Sequence, residues 1–529
     1  MHQRSWKALI AGGAALAVGV TLTAFGAPAH AAGVPGITSE ARAQDEVMNY
    51  AVNLPADASH YDFNAAVSKA SENGVVLAQY PEFNSFFVQS VKAAYAPDLG
   101  KSLVAAGISY DSIGPTRYKT VTGDEVRTEQ PTKTDAEANA VNEAAAEHET
   151  GLSAESQLND FIPDEGDANA WGLSAIGAVE AQTVDVPRAT VTVAVMDTGI
   201  DPDHKDLKDR IDASRSVGCQ VNGIPNQDPA AWRWDDATHG THVAGSIAAK
   251  HDGVGVDGVN PTLRIAAINV ASRNGGYFYP EYIACGFVWA AEHGISVTNG
   301  SYYVDPWKYW LPNDPEQAAG QEAVQRAVDY ATSKDVINVV AAGNFSTDLD
   351  NLPTTDDSAP GDTWGAHERD VTGAVYMPPK LRGTLSVSAL QLPEGADPAT
   401  GVLEPASWSN WGANSVDFAA PGAKIYAPLT SWYGKAYGNL YGTSQASPLA
   451  AAVIATLRQV HPEMNAEQII ALAKKQAGDP SNWDRLKPVA GREYRGAGLP
   501  NALDAVLKDQ ATPVIGRVPY MSHIHISWP

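Results

Sequence analysis

Three short motifs carry the residue types of nucleophilic catalysis, in the order Asp, His, Ser along the chain. Asp197 directly follows the aliphatic run 191–196, His239 opens the motif HGTHVAG, and Ser444 lies in the motif GTSQASP. A serine hydroxyl is a weak nucleophile at neutral pH, so a histidine must take its proton and a carboxylate must orient the imidazole. Taken singly, Asp197 is typical of a turn and Ser444 of a helix cap. Together the three residues predict acyl transfer.

His239 and His242 are three residues apart, which raises the alternative of a metal site. The zinc-protease pattern requires a spacing of four and a glutamate beside the first histidine, and both are missing. We therefore interpret His239 as the catalytic base and His242 as a buried structural histidine.

The elements that must position these residues follow a doubly wound α/β pattern. Continuous aliphatic runs alternate with helical patterns from 171 to 509, as is typical of a mostly parallel sheet covered on both faces. Function is then expected at the carboxyl ends of the strands. The predicted strands are 191–196, 264–270, 295–299, 336–341, 385–389 and 416–419. The predicted helices are 239–249, 280–293, 315–333, 444–460 and 466–477.

The order Asp, His, Ser excludes both the α/β-hydrolase order and the chymotrypsin-like order. The motifs MDTGID (196–201), HGTHVAG (239–245) and GTSQASP (442–448) resemble the three signatures of the subtilisin family of serine proteases. The similarity covers most of 171–509. It implies a serine endopeptidase with the triad Asp197, His239 and Ser444, made as a self-processing zymogen.

The resemblance also implies residues that bind the substrate. The segment 341–344 is similar to the family segment that carries the oxyanion asparagine, so Asn344 is expected to donate to the oxyanion with the Ser444 N–H. The motif VTNGSYY (297–303) resembles the strand edge that pairs with an extended substrate, and an ordinary core strand is its alternative. The substrate-binding residues implied are Ser301, Tyr302 and Gly343.

A structural calcium site is a further implication of the resemblance. Asp206 lies nine residues beyond Asp197, and the loop KHDGVGV (250–256) matches the family loop that wraps the ion. Oxygen ligands suit a hard cation such as Ca²⁺. Asp252 could instead be a plain turn residue before Gly253. The ligands implied are the side chains of Asp206 and Asp252 and the carbonyls of Lys250, Val254 and Val256.

The chain has only two cysteines, Cys219 and Cys285. Two are too few for a zinc ribbon or a disulfide framework. In an oxidising compartment they are expected to form one disulfide, and two separate thiols are the alternative.

The first 31 residues are typical of a secretory signal. Arg4 and Lys7 precede an apolar run, and Ala29 and Ala31 are small residues at the positions that a signal peptidase inspects. A membrane anchor is the alternative, and the small side chains argue against it. No later segment has the ~18 apolar residues needed to span a bilayer. We expect a secreted, extracellular protein that is a monomer.

The remaining chain divides by composition. Residues 45–120 show a βαββαβ order, which predicts a small α+β, ferredoxin-like module. The segment 121–167 is an acidic linker with thirteen Asp or Glu residues against two basic ones. Residues 168–510 form the predicted peptidase domain, and the tail 511–529 resembles nothing that we recognise. By the family resemblance, the module is an inhibitory propeptide that assists folding, and the linker contains the maturation site.

Net charge restricts the partners. The formal net charge is −25, which repels nucleic acid and an anionic membrane alike. The expected partners are protein or peptide substrates and the chain's own propeptide.

Overall fold

The computed structural model describes residues 46–122, 125–127 and 170–509, apart from 187, 234–236, 274–275, 359, 363–367 and 431–435. The predicted signal 1–31, most of the linker 121–167 and the tail 511–529 lie outside the described residues. In the described part of the chain, no helix is both long enough and apolar enough to cross a membrane.

The N-terminal module, residues 46–122, is an antiparallel sheet with two helices in the predicted βαββαβ order. Its strand order is β2–β3–β1–β4. The Ser59 hydroxyl accepts a hydrogen bond from the Asp62 N–H and caps the first helix. The elements are β1 (Met48–Asn53), α1 (His60–Ser71), β2 (Val75–Tyr80), β3 (Ser85–Ser90), α2 (Tyr95–Ala105) and β4 (Ser112–Pro115).

The larger region, residues 170–509, is built on an eight-stranded sheet of order β13–β12–β9–β8–β5–β7–β6, with β14 beside β12. All of these pairs are parallel except β12 with β13. The fold is therefore the predicted doubly wound, mostly parallel α/β fold. The strands of this sheet are β5 (Thr192–Asp197), β6 (Val217–Gly218), β7 (Arg264–Asn269), β8 (Val297–Gly300), β9 (Ile337–Ala341), β12 (Thr384–Gln391), β13 (Glu404–Pro405) and β14 (Phe418–Pro421).

Helices cover both faces of this sheet, and two small antiparallel pairs lie outside it. The small pairs are β10 (Thr355–Asp356) with β11 (Arg369–Asp370), and β15 (Ile425–Pro428) with β16 (Tyr437–Leu440). The helices are α3 (Trp171–Ala175), α4 (Ala178–Gln182), α5 (Pro229–Trp232), α6 (His239–Ala248), α7 (Pro280–Glu292), α8 (Ala318–Ser333), α9 (Thr443–Val460), α10 (Ala466–Ala477), α11 (Pro480–Trp483) and α12 (Ala502–Leu507).

The central strand β5 is buried on both faces. Val193 and Val195 belong to the core on the side of α9, whereas Ala194 and Met196 belong to the core on the side of α7 and α8. This double burial explains why the strand reads as a continuous aliphatic run. Apolar side chains of the N-terminal module, among them Phe87, join the second core. The module therefore packs on the α7 and α8 side of the sheet.

Candidate active site

Asp197 and His239 form a hydrogen-bonded pair at the carboxyl end of β5. Asp197 is fully buried, and its two carboxylate oxygens lie 2.8 and 2.9 Å from His239 Nδ1. The Thr198 N–H donates to the same carboxylate at 2.7 Å. A Cβ at Gly240 would lie 2.2 Å from the Gly199 carbonyl oxygen, so a glycine is needed for α6 to bring His239 this close to β5.

The two histidines have opposite electrostatic environments. Burial lowers the pKa of His239, but the charge and the hydrogen bonds of Asp197 outweigh it, so the pKa is raised above its ordinary value. Burial, with the nearby His239, lowers the pKa of His242 to about 3. His242 Nε2 donates to the carbonyls of Ile425 at 3.0 Å and Gly438 at 3.3 Å. His242 is therefore neutral and ties α6 to the β15–β16 pair.

Ser444 is the second residue of α9 and faces the segment after β8. Its Oγ donates to the Ser301 carbonyl at 3.2 Å, and Ser301 Oγ donates in turn to the Ser444 carbonyl at 3.0 Å. Among the hydrogen bonds of the described residues, none joins Ser444 to His239. Catalytic hydrogen bonds of this kind often form only with substrate bound. The structure thus brings Asp197 to His239, and Ser444 to the segment that begins at Ser301.

Asn344 follows β9 and is held from the helix that carries Ser444. Its Oδ1 accepts hydrogen bonds from the Thr443 N–H at 2.8 Å and the Thr443 hydroxyl at 2.9 Å. The same hydroxyl accepts from the Gly343 N–H at 2.9 Å. Because its oxygen is occupied, the amide can offer only its Nδ2 donors to a substrate. Gly343 has φ +101°, in the region that favours glycine.

Thr443 is a residue that the sequence reasoning missed. Its place directly before Ser444 was visible, but a threonine at that point reads as a helix-capping residue. The contacts with Asn344 and Gly343 join residues about a hundred positions apart, so only the folded chain reveals them.

The motif 297–303, predicted as the substrate edge, divides in two. Residues 297–300 form β8, which pairs with β5 and β9 and is therefore a core strand, so the edge stays a prediction for 301–303 alone. Ser301 is the first residue after that strand, and Tyr302 is buried. The Tyr302 ring stacks on Phe278, with the ring centroids 4.8 Å apart. An aromatic wall therefore stands beside this edge.

The predicted calcium site has one of its two carboxylates buried beside the loop 250–256. Asp206 is fully buried, and it accepts hydrogen bonds from the Tyr437 hydroxyl at 2.8 Å and the Val256 N–H at 3.3 Å. A Cβ at Gly255 would lie 2.4 Å from an Asp206 carboxylate oxygen, so the loop wraps closely around this group. Burial raises the pKa of Asp206. No cationic side chain makes an ion pair with Asp206 in the described part of the chain.

The second carboxylate of the predicted calcium site, Asp252, makes other contacts. Asp252 pairs with Lys250 Nζ at 2.8 Å and accepts from the Val254 N–H, which is the turn role that the sequence left open. Across the described residues, no group of three or more His, Cys, Asp or Glu side chains converges as a metal site. Asp206 and the backbone of the loop suit a hard cation, and Asp252 would have to turn inward to join them.

Cys219 and Cys285 form a disulfide, with their Cα atoms 5.9 Å apart. Cys219 directly follows β6 and Cys285 lies in α7. The bond therefore fastens the edge of the sheet to the helix on which the N-terminal module packs.

Comparisons with known proteins agree with this architecture. A model of the subtilase family matches residues 188–498. Fervidolysin of Fervidobacterium pennivorans is 27% identical over 440 residues, which span 78% of this chain and 53% of fervidolysin. Subtilisin Savinase of Lederbergia lenta is 30% identical over 299 residues, 56% of this chain and 87% of that protein.

A solved structure has the same fold. The epidermin leader peptide processing serine protease of Staphylococcus aureus matches with a TM-score of 0.60 and 20% identity, over 87% of this chain and 98% of that one. At this identity the likeness shows the fold alone. The chain spans about half the length of fervidolysin.

Proposed function

Because the chain belongs to the subtilase family of serine proteases, we propose that it is a secreted serine endopeptidase acting through Asp197, His239 and Ser444. The observation that carries the proposal is the Asp197–His239 pair, 2.8 Å apart, at the carboxyl end of the central strand. Ser444 stands at the head of a helix in the same domain, where backbone N–H groups and the helix dipole favour developing negative charge.

In the proposed reaction, Ser444 Oγ attacks the carbonyl carbon of the scissile peptide bond. His239 Nε2 takes the hydroxyl proton and later gives it to the leaving amine. Asp197 accepts from His239 Nδ1–H, which fixes the tautomer and stabilises the imidazolium that forms. The raised pKa of His239 agrees with this role, since the neighbouring carboxylate favours the protonated ring. Water then attacks the acyl-enzyme by the same proton route.

The tetrahedral intermediate carries an oxyanion that needs hydrogen-bond donors. Asn344 is proposed to donate from Nδ2, together with the Ser444 backbone N–H. The two Thr443 hydrogen bonds to Asn344 Oδ1 support this role because they fix which end of the amide is free.

Protein or peptide substrates are proposed to lie along the segment after β8, where Ser301, Tyr302 and Gly343 would contact them. Pairing with an extended backbone reads few side chains and therefore suits broad specificity. The Tyr302–Phe278 stack supports an apolar wall for one substrate side chain.

The N-terminal module is proposed to be an intramolecular inhibitor and folding aid. Its contacts with α8 support the proposal, because Arg326 Nη1 donates to the carbonyls of Leu54 at 2.6 Å and Phe83 at 3.0 Å. Asn53 Nδ2 donates to the Ala319 carbonyl at 2.9 Å. A doubly wound parallel sheet has many non-local contacts and folds slowly, so a docked module can speed its formation.

Calcium is proposed to stabilise the peptidase domain at the loop 250–256. Asp206 and the carbonyls of Lys250, Val254 and Val256 would hold it, with Asp252 turned inward. A bound ion would supply charge compensation for the buried carboxylate, and it would take no part in the reaction.

The test of the proposed function is the variant Ser444→Ala. Without the nucleophile it should be inactive and should be secreted uncut, at close to the size left by removal of residues 1–31. The wild-type protein should react with phenylmethylsulfonyl fluoride at Ser444 and should be cut within 121–167. Ser481→Ala, an exposed serine of α11, is the control and should be cut normally.

Two results would contradict the proposal. One is peptidase activity in Ser444→Ala. The other is a mature N-terminus within 121–167 when that variant is made in a host that lacks its own secreted proteases.

A further inference from the structure

An arginine of the N-terminal module is buried against the peptidase domain. The Arg117 side chain is 4% exposed. Its Nε and Nη2 both donate to Glu281 Oε1, the first at 3.1 Å, and Nη2 also donates to the Tyr282 hydroxyl at 3.0 Å. Nη1 pairs with Glu125 at 2.9 Å. Every nitrogen of the guanidinium therefore has a partner.

Two aromatic rings form the walls around this guanidinium. Its carbon lies 4.0 Å from the centre of the Tyr279 ring and 5.4 Å from the centre of the Tyr282 ring. The two rings meet edge to face, with their centroids 5.5 Å apart. A cation over a tyrosine face is attracted by the ring quadrupole, more strongly where water is excluded.

The three residues that face the guanidinium come from a single short stretch of the peptidase domain. Tyr279 is the N-cap of α7, and Glu281 and Tyr282 lie in its first turn. We call Tyr279, Glu281 and Tyr282 the α7 pocket. One helix turn and its cap supply all three side chains, and the Tyr282 hydroxyl also donates to Glu125 at 2.7 Å.

The α7 pocket lacks a cation of its own. Glu281 is fully buried, and Arg117 is the basic side chain that pairs with it in the described structure. Its second carboxylate oxygen has no hydrogen-bond partner among the described residues. Release of the module takes this cation away and leaves a carboxylate beside two aromatic rings, an arrangement that attracts a guanidinium.

The α7 pocket is adjacent in the sequence to a residue that contacts the proposed substrate segment. Tyr279 directly follows Phe278, whose ring stacks on Tyr302. Tyr302 in turn follows Ser301, which exchanges hydrogen bonds with Ser444. Two contacts and two peptide bonds thus connect the nucleophile to the pocket.

We propose that the α7 pocket is a guanidinium-binding site of the mature peptidase. Arg117 occupies it in the zymogen, and an arginine side chain of the substrate occupies it after the module has left. The proposal rests on the proposed function, since it requires cleavage of peptides and release of the module.

The test uses the mature wild-type enzyme and a series of peptides with one scissile bond. A single arginine is moved residue by residue along both flanks of the bond, and each peptide is paired with one that has citrulline, the uncharged isostere. At one position, kcat/KM for the arginine peptide should exceed that for the citrulline peptide by about tenfold, a ratio typical of a partly desolvated cation at an aromatic, acidic site.

Two glutamine variants on the same helix locate the effect. E281Q removes the carboxylate of the pocket and should bring the arginine-to-citrulline ratio close to one. E292Q removes the other carboxylate of α7, which bonds Tyr330 instead, and should keep the wild-type ratio. Should E281Q fail to be secreted, Tyr279→Leu removes the ring beneath the guanidinium and should lower the ratio.

The outcomes separate this inference from the proposed function. Equal rates for arginine and citrulline at every position of the wild-type series would overturn the pocket while leaving the peptidase intact. A ratio unchanged in E281Q, or in Tyr279→Leu where that variant replaces it, would also overturn it. Absence of cleavage of every peptide would overturn the proposed function and this inference with it.

Discussion

Replacing Thr443 by valine should slow turnover while leaving KM nearly unchanged. The Thr443 hydroxyl joins the proposed oxyanion donor to a proposed substrate-binding residue, because it donates to Asn344 Oδ1 at 2.9 Å and accepts from the Gly343 N–H at 2.9 Å. Valine fills the same volume but offers neither function. The Thr443 N–H still donates to Asn344 Oδ1 at 2.8 Å, so one of two orienting hydrogen bonds remains.

The expected size of the effect follows from the loss of one neutral hydrogen bond. Such a bond is worth about 1 kcal/mol, which corresponds to roughly a fivefold decrease in kcat. Removing the donor altogether in Asn344→Ala should cost more, about 10²–10³-fold, the magnitude known for loss of one oxyanion donor in subtilisin. Valine also leaves the buried Gly343 N–H without its acceptor, which should lower the free energy of unfolding by about 1–3 kcal/mol.

The assay is steady-state hydrolysis of one chromogenic peptide by the wild-type protein and four variants. Thr443→Ser keeps the hydroxyl and should retain nearly wild-type kcat. In the double variant Thr443→Val with Asn344→Ala, the valine should cost nothing further, because the amide that it orients has gone. Thermal melting of the same proteins separates the effect on stability from that on turnover.

Three results would refute this reasoning. They are a wild-type kcat in Thr443→Val, an equal loss of kcat in Thr443→Ser, and a fivefold cost of valine that persists when Asn344 is already alanine. The last would mean that Thr443 acts on catalysis by a route other than Asn344.

Three further predictions concern the base, the ion and the disulfide. Asp197 raises the pKa of His239, and only the neutral ring accepts a proton, so kcat/KM should fall with decreasing pH through a value above the ordinary 6.5. Asp197→Asn should move this acidic limb of the pH profile to lower pH. An acidic limb that stays in place in the variant would contradict the prediction. Calcium should raise the melting temperature relative to EDTA by an amount that grows with its concentration, and Asp206→Asn should abolish the difference; identical midpoints with and without the ion would remove the site. Intact-mass measurement after alkylation should show no free thiol. Reduction should lower the free energy of unfolding by up to about 4 kcal/mol, since Cys219 and Cys285 close a loop with a sequence separation of 66. Two alkylated thiols in the untreated protein would contradict the disulfide.

The sequence predicts the bounds of the central strands and helices closely because their burial requires a recognisable pattern of apolar residues. The predicted strand 191–196 is observed as Thr192–Asp197, and the predicted helix 466–477 as Ala466–Ala477. Burial on both faces gives the strand its aliphatic run, and a capping box formed by Asn465 and Gln468 begins the helix. Strands of two residues, such as Thr355–Asp356, leave no periodic pattern and were missed.

The proposed active site likewise has one part that sequence patterns predict and another that they do not. Residue type and motif order suffice to propose catalytic roles for Asp197, His239 and Ser444, since each stands at the boundary of an element. Arg117 and Glu281 are 164 positions apart in the sequence, and no local sequence pattern predicts that they pair. Contacts of this kind, between residues distant in the sequence, are visible only in the folded structure.

The disulfide between Cys219 and Cys285 makes the state of the chain depend on where it folds. Thiols stay reduced in the cytoplasm and pair in oxidising surroundings. A chain that folds with its thiols reduced lacks the covalent link between the sheet edge and α7, the helix that receives Arg117 and packs against the module. The disulfide thus makes the rigidity of the surface that holds the module depend on the redox state of the surroundings.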